Sequence, residues 1–443
     1  MTMTQTDLTA RLLAMSKADQ TEVVIAERDR ALTRFANSEI HQNVSERDTE
    51  VRVRVVVDNR VGVASTNDLS DQALAQVLER AHLLARHAAP DEAFPGLPGP
   101  QPQPRVDYAY AAETAATSPE ARAAVAEVMC RMATEAGLKA FGAYETSSGC
   151  LTIANSRGLY ATQLATKADV NLVVMGDDSS GYASFTGVDA SGMDPEALGR
   201  TAIEKALLSR HPVELEPGAY TVLLEEDAVA DLLEYVANAG FNGKDYNDGI
   251  SFLSGHLGEQ LVGENVTLYD DPLDPDMLPL GFDGEGTPKS RLTLIERGIA
   301  RAVTHNAYTA KEAGTVSTGH AQPAPSTACL PTHLRMEGGT ETKAELLKGI
   351  ERGILVTRFH YTNLAEPLTA TITGMTRDGT FWVEHGEIVR PLKNMRFTSS
   401  ALEALRMVRG LSRETKLVPG YYGATRAPAM VVDGFRFSGV TRF

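Results

Sequence analysis

Cysteine is scarce in this 443-residue chain. Cys130, Cys150 and Cys329 are odd in number and widely spaced, which excludes a disulfide framework or paired CxxC metal knuckles and points to a reducing, cytoplasmic setting. Positive charge is also short: 42 Lys and Arg against 58 Asp and Glu leave a formal net charge of -16. No cluster of basic residues with interleaved aromatics relieves that balance, so nucleic-acid partners are not expected. No apolar run is long enough to span a membrane, and Asp7, Arg11, Lys17 and Asp19 interrupt any secretory core, so the chain is expected to start near Met1.

Catalytic motifs are missing as well. The 10 histidines form no His-x-His pair and no His-x-x-x-His spacing on a predicted helix; His82 and His87 read as part of a solvated helix face. Asp270-Asp271, Asp274 and Asp276 are broken by Pro272 and Pro275 and lack the glycine and closing glutamate of an EF-hand, so they read as a solvated acidic turn. Gly249-Ile250-Ser251-Phe252-Leu253 lacks the second glycine of a nucleophile elbow.

The patterning that is present describes an α+β chain. Alternating segments at 22–28, 31–44 and 50–58 predict half-buried strands, with a turn at Asp58-Asn59-Arg60. Amphipathic periodicity predicts helices over 6–15, 71–86, 119–137 and 195–210. Six prolines between 89 and 105 forbid helix or central strand there and predict an extended linker. On either side of it, Phe35-Ala36-Asn37-Ser38 through Gly62-Val63-Ala64-Ser65 aligns with Ile153-Ala154-Asn155-Ser156 through Gly181-Tyr182-Ala183-Ser184, each followed by a helix. This implies an internal duplication within an N-terminal sheet-and-helix domain over 1–212. A β-rich C-terminal domain is expected over 218–443, opening with a strand at 220–224 and a helix at 227–240.

Within that second half runs Pro279-Leu280-Gly281-Phe282-Asp283-Gly284-Glu285-Gly286-Thr287-Pro288, followed by Leu294-Ile295-Glu296-Arg297-Gly298. It is not a phosphate loop, because two carboxylates intrude and no Gly-Lys-Ser/Thr follows. On its own it reads as a tight turn with Pro288 fixing the exit. Together with Leu346-Leu347-Lys348-Gly349-Ile350-Glu351-Arg352-Gly353 and His385-Gly386-Glu387-Ile388-Val389-Arg390-Pro391, it resembles the TldD/PmbA proteins, a family of peptidases and peptidase partners. In that context Asp283, Gly284, Glu285 and Gly286 are expected to shape the groove or a subunit contact.

The resemblance implies peptide hydrolysis. In the TldD branch a His-Glu-x-x-x-His helix and a cysteine near the C-terminus bind zinc. Here a gapped register puts Leu233-Glu234-Tyr235-Val236-Ala237-Asn238 on that motif; an ungapped one offers Ala230, Asp231 and Tyr235. No histidine lies between His211 and His256, and Gly420-Tyr421-Tyr422-Gly423 stands where the cysteine would be. Leu233 and Asn238 are therefore degenerate zinc positions and no metal or other cofactor is expected. Glu234 survives as a possible general base, but the stripe Val229, Leu232, Leu233 and Val236 places it and Asn238 on a solvated face.

The departure matches the PmbA branch, also called TldE. It implies a zinc-free subunit that dimerises with a TldD-like zinc-bearing chain and acts on peptides. The alternatives are a self-contained hydrolase homodimer without zinc, and a non-enzymatic protein-binding regulator, in line with the family's association with DNA gyrase modulation.

Overall fold

The computed structural model describes residues 4–441; the expected ends at Met1 and Phe443 lie outside the described residues. The N-terminal region runs α1 (Gln5–Met15), β1 (Gln20–Ala36), β2 (Glu39–Val57), β3 (Arg60–Thr66) and α2 (Asp71–His87), then α3 (Ala112–Ala115) and α4 (Pro119–Glu135). Next come β4 (Lys139–Asn155), β5 (Tyr160–Met175), β6 (Ser180–Gly187) and α5 (Pro195–Leu208). The strands form a 6-stranded sheet in the order β3-β2-β1-β4-β5-β6. That order is palindromic, each half contributing a three-strand meander followed by a helix, so the duplicated sequence is a duplicated structure.

The repeated glycines have a physical cause. A Cβ on Gly62 would lie 2.1 Å from the Ala81 carbonyl of α2, and one on Gly181 would lie 2.1 Å from the Ala202 carbonyl of α5. In both halves the helix closes onto the third strand at a distance only glycine permits. The capping signals also act as expected: the Ser70 and Ser118 hydroxyls accept the amides of Ala73 and Ala121 at the starts of α2 and α4.

One strand boundary differs from expectation. The segments read as 22–28 and 31–44 are a continuous β1 that turns at Asn37 (φ 53°) and Ser38 (φ 63°) into β2. The polar run Arg28-Asp29-Arg30 looked like a break for a simple reason. It and the stretch from Glu39 to Asp48 lie where the hairpin is exposed to solvent, so alternation fails there without the strand ending.

The C-terminal region comprises β7 (Gly218–Leu224), α6 (Glu226–Gly240), α7 (Gly243–Asn247), β8 (Leu268–Asp270), β9 (Leu292–Glu296), β10 (Ile299–Ala300), α8 (Ala307–Ala313), β11 (His333–Met336) and α9 (Lys343–Lys348). It ends with β12 (Arg352–Glu366), β13 (Thr371–Glu384), β14 (Glu387–Pro391), β15 (Met395–Ser400), α10 (Ala401–Arg406), β16 (Val408–Pro419) and β17 (Ala424–Val440). These strands make an 11-stranded sheet. It closes on itself, because β7 pairs with β12 on one side and β17 on the other. Val222 and Leu224 of β7 pack in one cluster with α6, while Leu223 joins Leu346 and Ile350 in another.

The linker at 89–105 runs extended across both regions. The Leu97 amide donates to Gln20 (2.7 Å), Asn155 donates to the Pro98 carbonyl (2.8 Å), and Gln103 donates to the Gly286 carbonyl (3.0 Å). Among the described residues no helix is long and apolar enough to cross a membrane.

Candidate functional site

Helix α6 forms because apolar residues recur at helical spacing and Glu226 and Asp227 complement its N-terminal dipole. It is buried around most of its circumference, which corrects the expectation of a solvated face. Leu233 is fully buried in the core, and Glu234 and Asn238 are half-buried. The cause is tertiary: the turn Gly420-Tyr421-Tyr422-Gly423 folds over this side of the helix.

Glu234 fastens that turn. One carboxylate oxygen accepts the Tyr421 amide at 2.6 Å and the Tyr422 amide at 3.4 Å. The Gly420 amide donates to the Gly423 carbonyl at 2.8 Å. A Cβ on Gly420 would lie 2.8 Å from the Glu234 carboxylate, and one on Gly423 would lie 2.0 Å from the Thr332 carbonyl. The two glycines are what let the turn sit so close.

Glu234, Asn238, Thr332 and Tyr422 line a cleft of ≈ 20 Å³, room for about one water. The structure therefore brings together the positions that the family resemblance links, while Leu233 points into the core. Zinc does not fit this donor set. A leucine has no lone pair to offer, an asparagine amide is a poor ligand, and Glu234 already accepts two amides. Among the described residues no group of 3 or more His, Cys, Asp or Glu is placed to hold a metal ion.

Two further residues join the same helix face. The Thr362 hydroxyl donates to Asp231 and the Tyr235 hydroxyl donates to the Thr362 carbonyl. Burial, reinforced by the charge of Glu234, pushes the Asp231 carboxyl up to about 6, while burial and the charges of Asp231 and Glu234 push the Tyr235 phenol up to about 12.

The signature run builds a second polar centre, at the contact between the two regions. Asp283 is buried, and its carboxylate accepts the amides of Glu285, Thr287 and Ala321, each at 2.9 Å. Burial and the neighbouring Glu285 nevertheless push its carboxyl up to about 7. Glu285 accepts the Ala307 amide at 3.2 Å and lies 3.8 Å from Arg54, which pairs with Glu22 at 2.6 Å.

Apolar contacts complete the junction. Phe282 packs with Val24, Ile153 and Leu159 of the N-terminal sheet, and Gln163 donates to the Pro279 carbonyl and accepts the Gly281 amide, both at 2.8 Å. Gly286 has φ +78°, and its Cβ would meet Leu159 at 2.6 Å; a Cβ on Gly284 would meet Pro323 at 2.5 Å. Thus Asp283, Gly284, Glu285 and Gly286 make contacts within the chain, with Glu285 also lining the cleft between its two regions.

The acidic turn is another correction. Asp270 is fully buried rather than solvated; it contacts His320 Nε2 at 3.0 Å and accepts the His333 amide at 2.6 Å. Burial alone would raise its carboxyl, but the His320 imidazole and nearby Lys289 hold it well below the usual carboxylate range. Sequence reasoning missed this centre because its partners lie far along the chain.

Comparisons with known proteins agree along the whole length. Residues 21–85 match the PmbA/TldA metallopeptidase domain 1, residues 95–210 its central domain and residues 217–439 its C-terminal domain. The metalloprotease PmbA of Escherichia coli O157:H7 is 26% identical over 90% of this chain and 89% of its own. The structure of TldE from Thermococcus kodakarensis superposes with a TM-score of 0.88 at 22% identity, covering 98% of this chain and 99% of that one. A Thermotoga maritima protein described as a candidate modulator of a DNA gyrase superposes with a TM-score of 0.88 at 21% identity, covering 98% and 100%.

Proposed function

The chain belongs to the PmbA/TldD family of metallopeptidases, and on that premise we propose that it is a zinc-free, TldE-type subunit of a two-chain peptidase. Its partner would be a TldD-like chain that carries the metal, and the substrate class is peptide. The carrying observation is what occupies the α6 site: Leu233 lies in the core, Asn238 offers a carboxamide, and Glu234 is committed to the amides of Tyr421 and Tyr422. A metal-assisted general base needs a polarised water beside it, and Glu234 has no metal ligand set next to it among the described residues, while one of its two oxygens is held by the Tyr421 and Tyr422 amides. The chain then contributes scaffold and peptide handling, while the partner contributes bond cleavage.

The test is the metal content and activity of the purified chain. Zinc well below one equivalent after dialysis, with no cleavage of unstructured peptide, is the expected result. Stoichiometric zinc together with chelator-sensitive cleavage by the chain alone would refute it. Recovery of gyrase and no peptidase chain in a pull-down would favour the regulator instead.

A further inference from the structure

A large cleft lies away from α6, between the two regions. It measures ≈ 1080 Å³ and is lined on one side by Val61, Gly62, Val63, Ala64 and Ser65 of β3. Consecutive residues of a strand point alternately to opposite faces. Five in a row can line one cavity only if the strand presents its edge to it.

That edge is open. β3 ends the 6-stranded sheet and pairs only with β2. Among the described residues, no backbone amide or carbonyl of 61–65 bonds to anything beyond that pairing. An edge strand turns every second N–H and C=O outward, and proteins usually protect such edges with proline, bulges, charge or a covering element. The sequence Val61-Gly62-Val63-Ala64-Ser65 contains no proline or charge, and its pairing with β2 has no bulge. β6, the counterpart of β3 at the other end of the sheet, lies against β13 and β16 of the C-terminal region.

The far wall of the void is made by Pro323, Ala324, Pro325 and Ser326, with Tyr308 and Asn306 beside them. Its arginines and its lysine are engaged: Arg52 with Glu50 at 3.1 Å, Arg54 with Glu22 at 2.6 Å, and Lys244 with Asp248 at 2.6 Å. Such a cleft offers main-chain hydrogen bonds and small apolar walls, with no surplus positive charge for a polyanion.

We propose that this cleft binds an extended peptide segment, which adds as a further strand to the free edge of β3. The inference rests on the peptide-handling role above and names the place and mode of binding. Five paired residues at about 3.3 Å each give a contact of about 17 Å, and recognition through the backbone makes the site tolerant of side-chain sequence.

The experiment uses the full chain alone, so its outcome does not depend on whether a zinc-bearing partner exists. A fluorescein-labelled Ala/Val/Ser peptide of about seven residues, carrying a central photo-crosslinker, is titrated by anisotropy, irradiated and mapped by mass spectrometry. Saturable binding with crosslinks to Val61 through Ser65 is expected. N-methylation of alternate peptide amides should weaken binding about tenfold or more, because it removes main-chain donors that a strand added to β3 would use. Ser65→Trp and Ser326→Trp, at exposed positions on opposite walls, should each weaken it similarly.

Absence of saturable binding, indifference to N-methylation, or crosslinks confined to another surface would each overturn the proposal. So would crosslinks showing that a second copy of this chain occupies the β3 edge. The N-methylated peptides test the unmodified protein, so the result stands even where a tryptophan variant fails to fold.

Discussion

Glu234, which one register of the family resemblance sets on the general-base position, holds a turn in place. Replacing it with Ala removes the acceptor for the Tyr421 and Tyr422 amides. Hydrogen exchange of those two amides should rise markedly while global stability falls by about 1 kcal/mol, the scale of a partly exposed charge-assisted bond; unchanged exchange would contradict the fastening role. Asp231 carries a signed pH prediction. Its carboxyl is raised from 3.8 to about 6 in the fold, so the native state holds the proton more tightly than the unfolded state. Its contribution is therefore favourable at low pH and is lost as pH rises from about 4 to about 6. Asp231→Asn, which keeps an acceptor for Thr362, should raise stability relative to the parent by about 1–2 kcal/mol at pH 8 and by little at pH 4. A difference that stays flat across melting curves at several pH values would contradict this. The Asp283 carboxyl is raised as well, to about 7, and it also gathers three amides that would lose their acceptor. Asp283→Ala should cost about 3 kcal/mol or more by denaturant unfolding.

At the scale of the elements, the clearest device is the paired glycine contact. Gly62→Val and Gly181→Val should each lift a helix from its strand and cost about 2–3 kcal/mol in chemical denaturation. A neutral effect at either position would contradict the close approach. Local signals made much of this part legible in the sequence: Ser70, and Ser118 with Pro119, mark caps through neighbours in the chain, and the repeat of Ala36-Asn37-Ser38 as Ala154-Asn155-Ser156 marks the duplication, whereas the turn at Asn37-Ser38 lies inside a segment that alternation reads as one strand. The α+β class, the duplication and the extended linker follow from such signals. The burial of α6 on its Glu234 side did not, because the turn that covers it comes from Gly420 to Gly423. Nor did the pairing of Asp270 with His320, which depends on contact between distant segments. Helical spacing already set Leu233 on the apolar stripe, and the structure buries it there, but that Glu234 faces a turn required the packed helix.

At the scale of the molecule, the signature run acts as a fastening between the two regions. Phe282, Gln163 and Gly286 hold it through apolar packing, paired hydrogen bonds and a backbone conformation that other residues rarely adopt. Gly286→Val should strain that conformation and collide with Leu159, separating one calorimetric unfolding transition into two; a single transition at the parent's temperature would contradict the fastening. The same architecture gives an α6 site whose side chains do not form a zinc donor set and an open strand edge in one chain, which suits the proposed subunit that handles peptide beside a catalytic partner. The most direct measurement of that account is co-purification with a TldD-type chain from the same cell, followed by cleavage of an unstructured peptide by each chain alone and by the pair. The account predicts a complex with zinc on the partner and cleavage only in the mixture. Zinc-dependent cleavage by this chain alone, or a mixture no more active than the partner by itself, would contradict it.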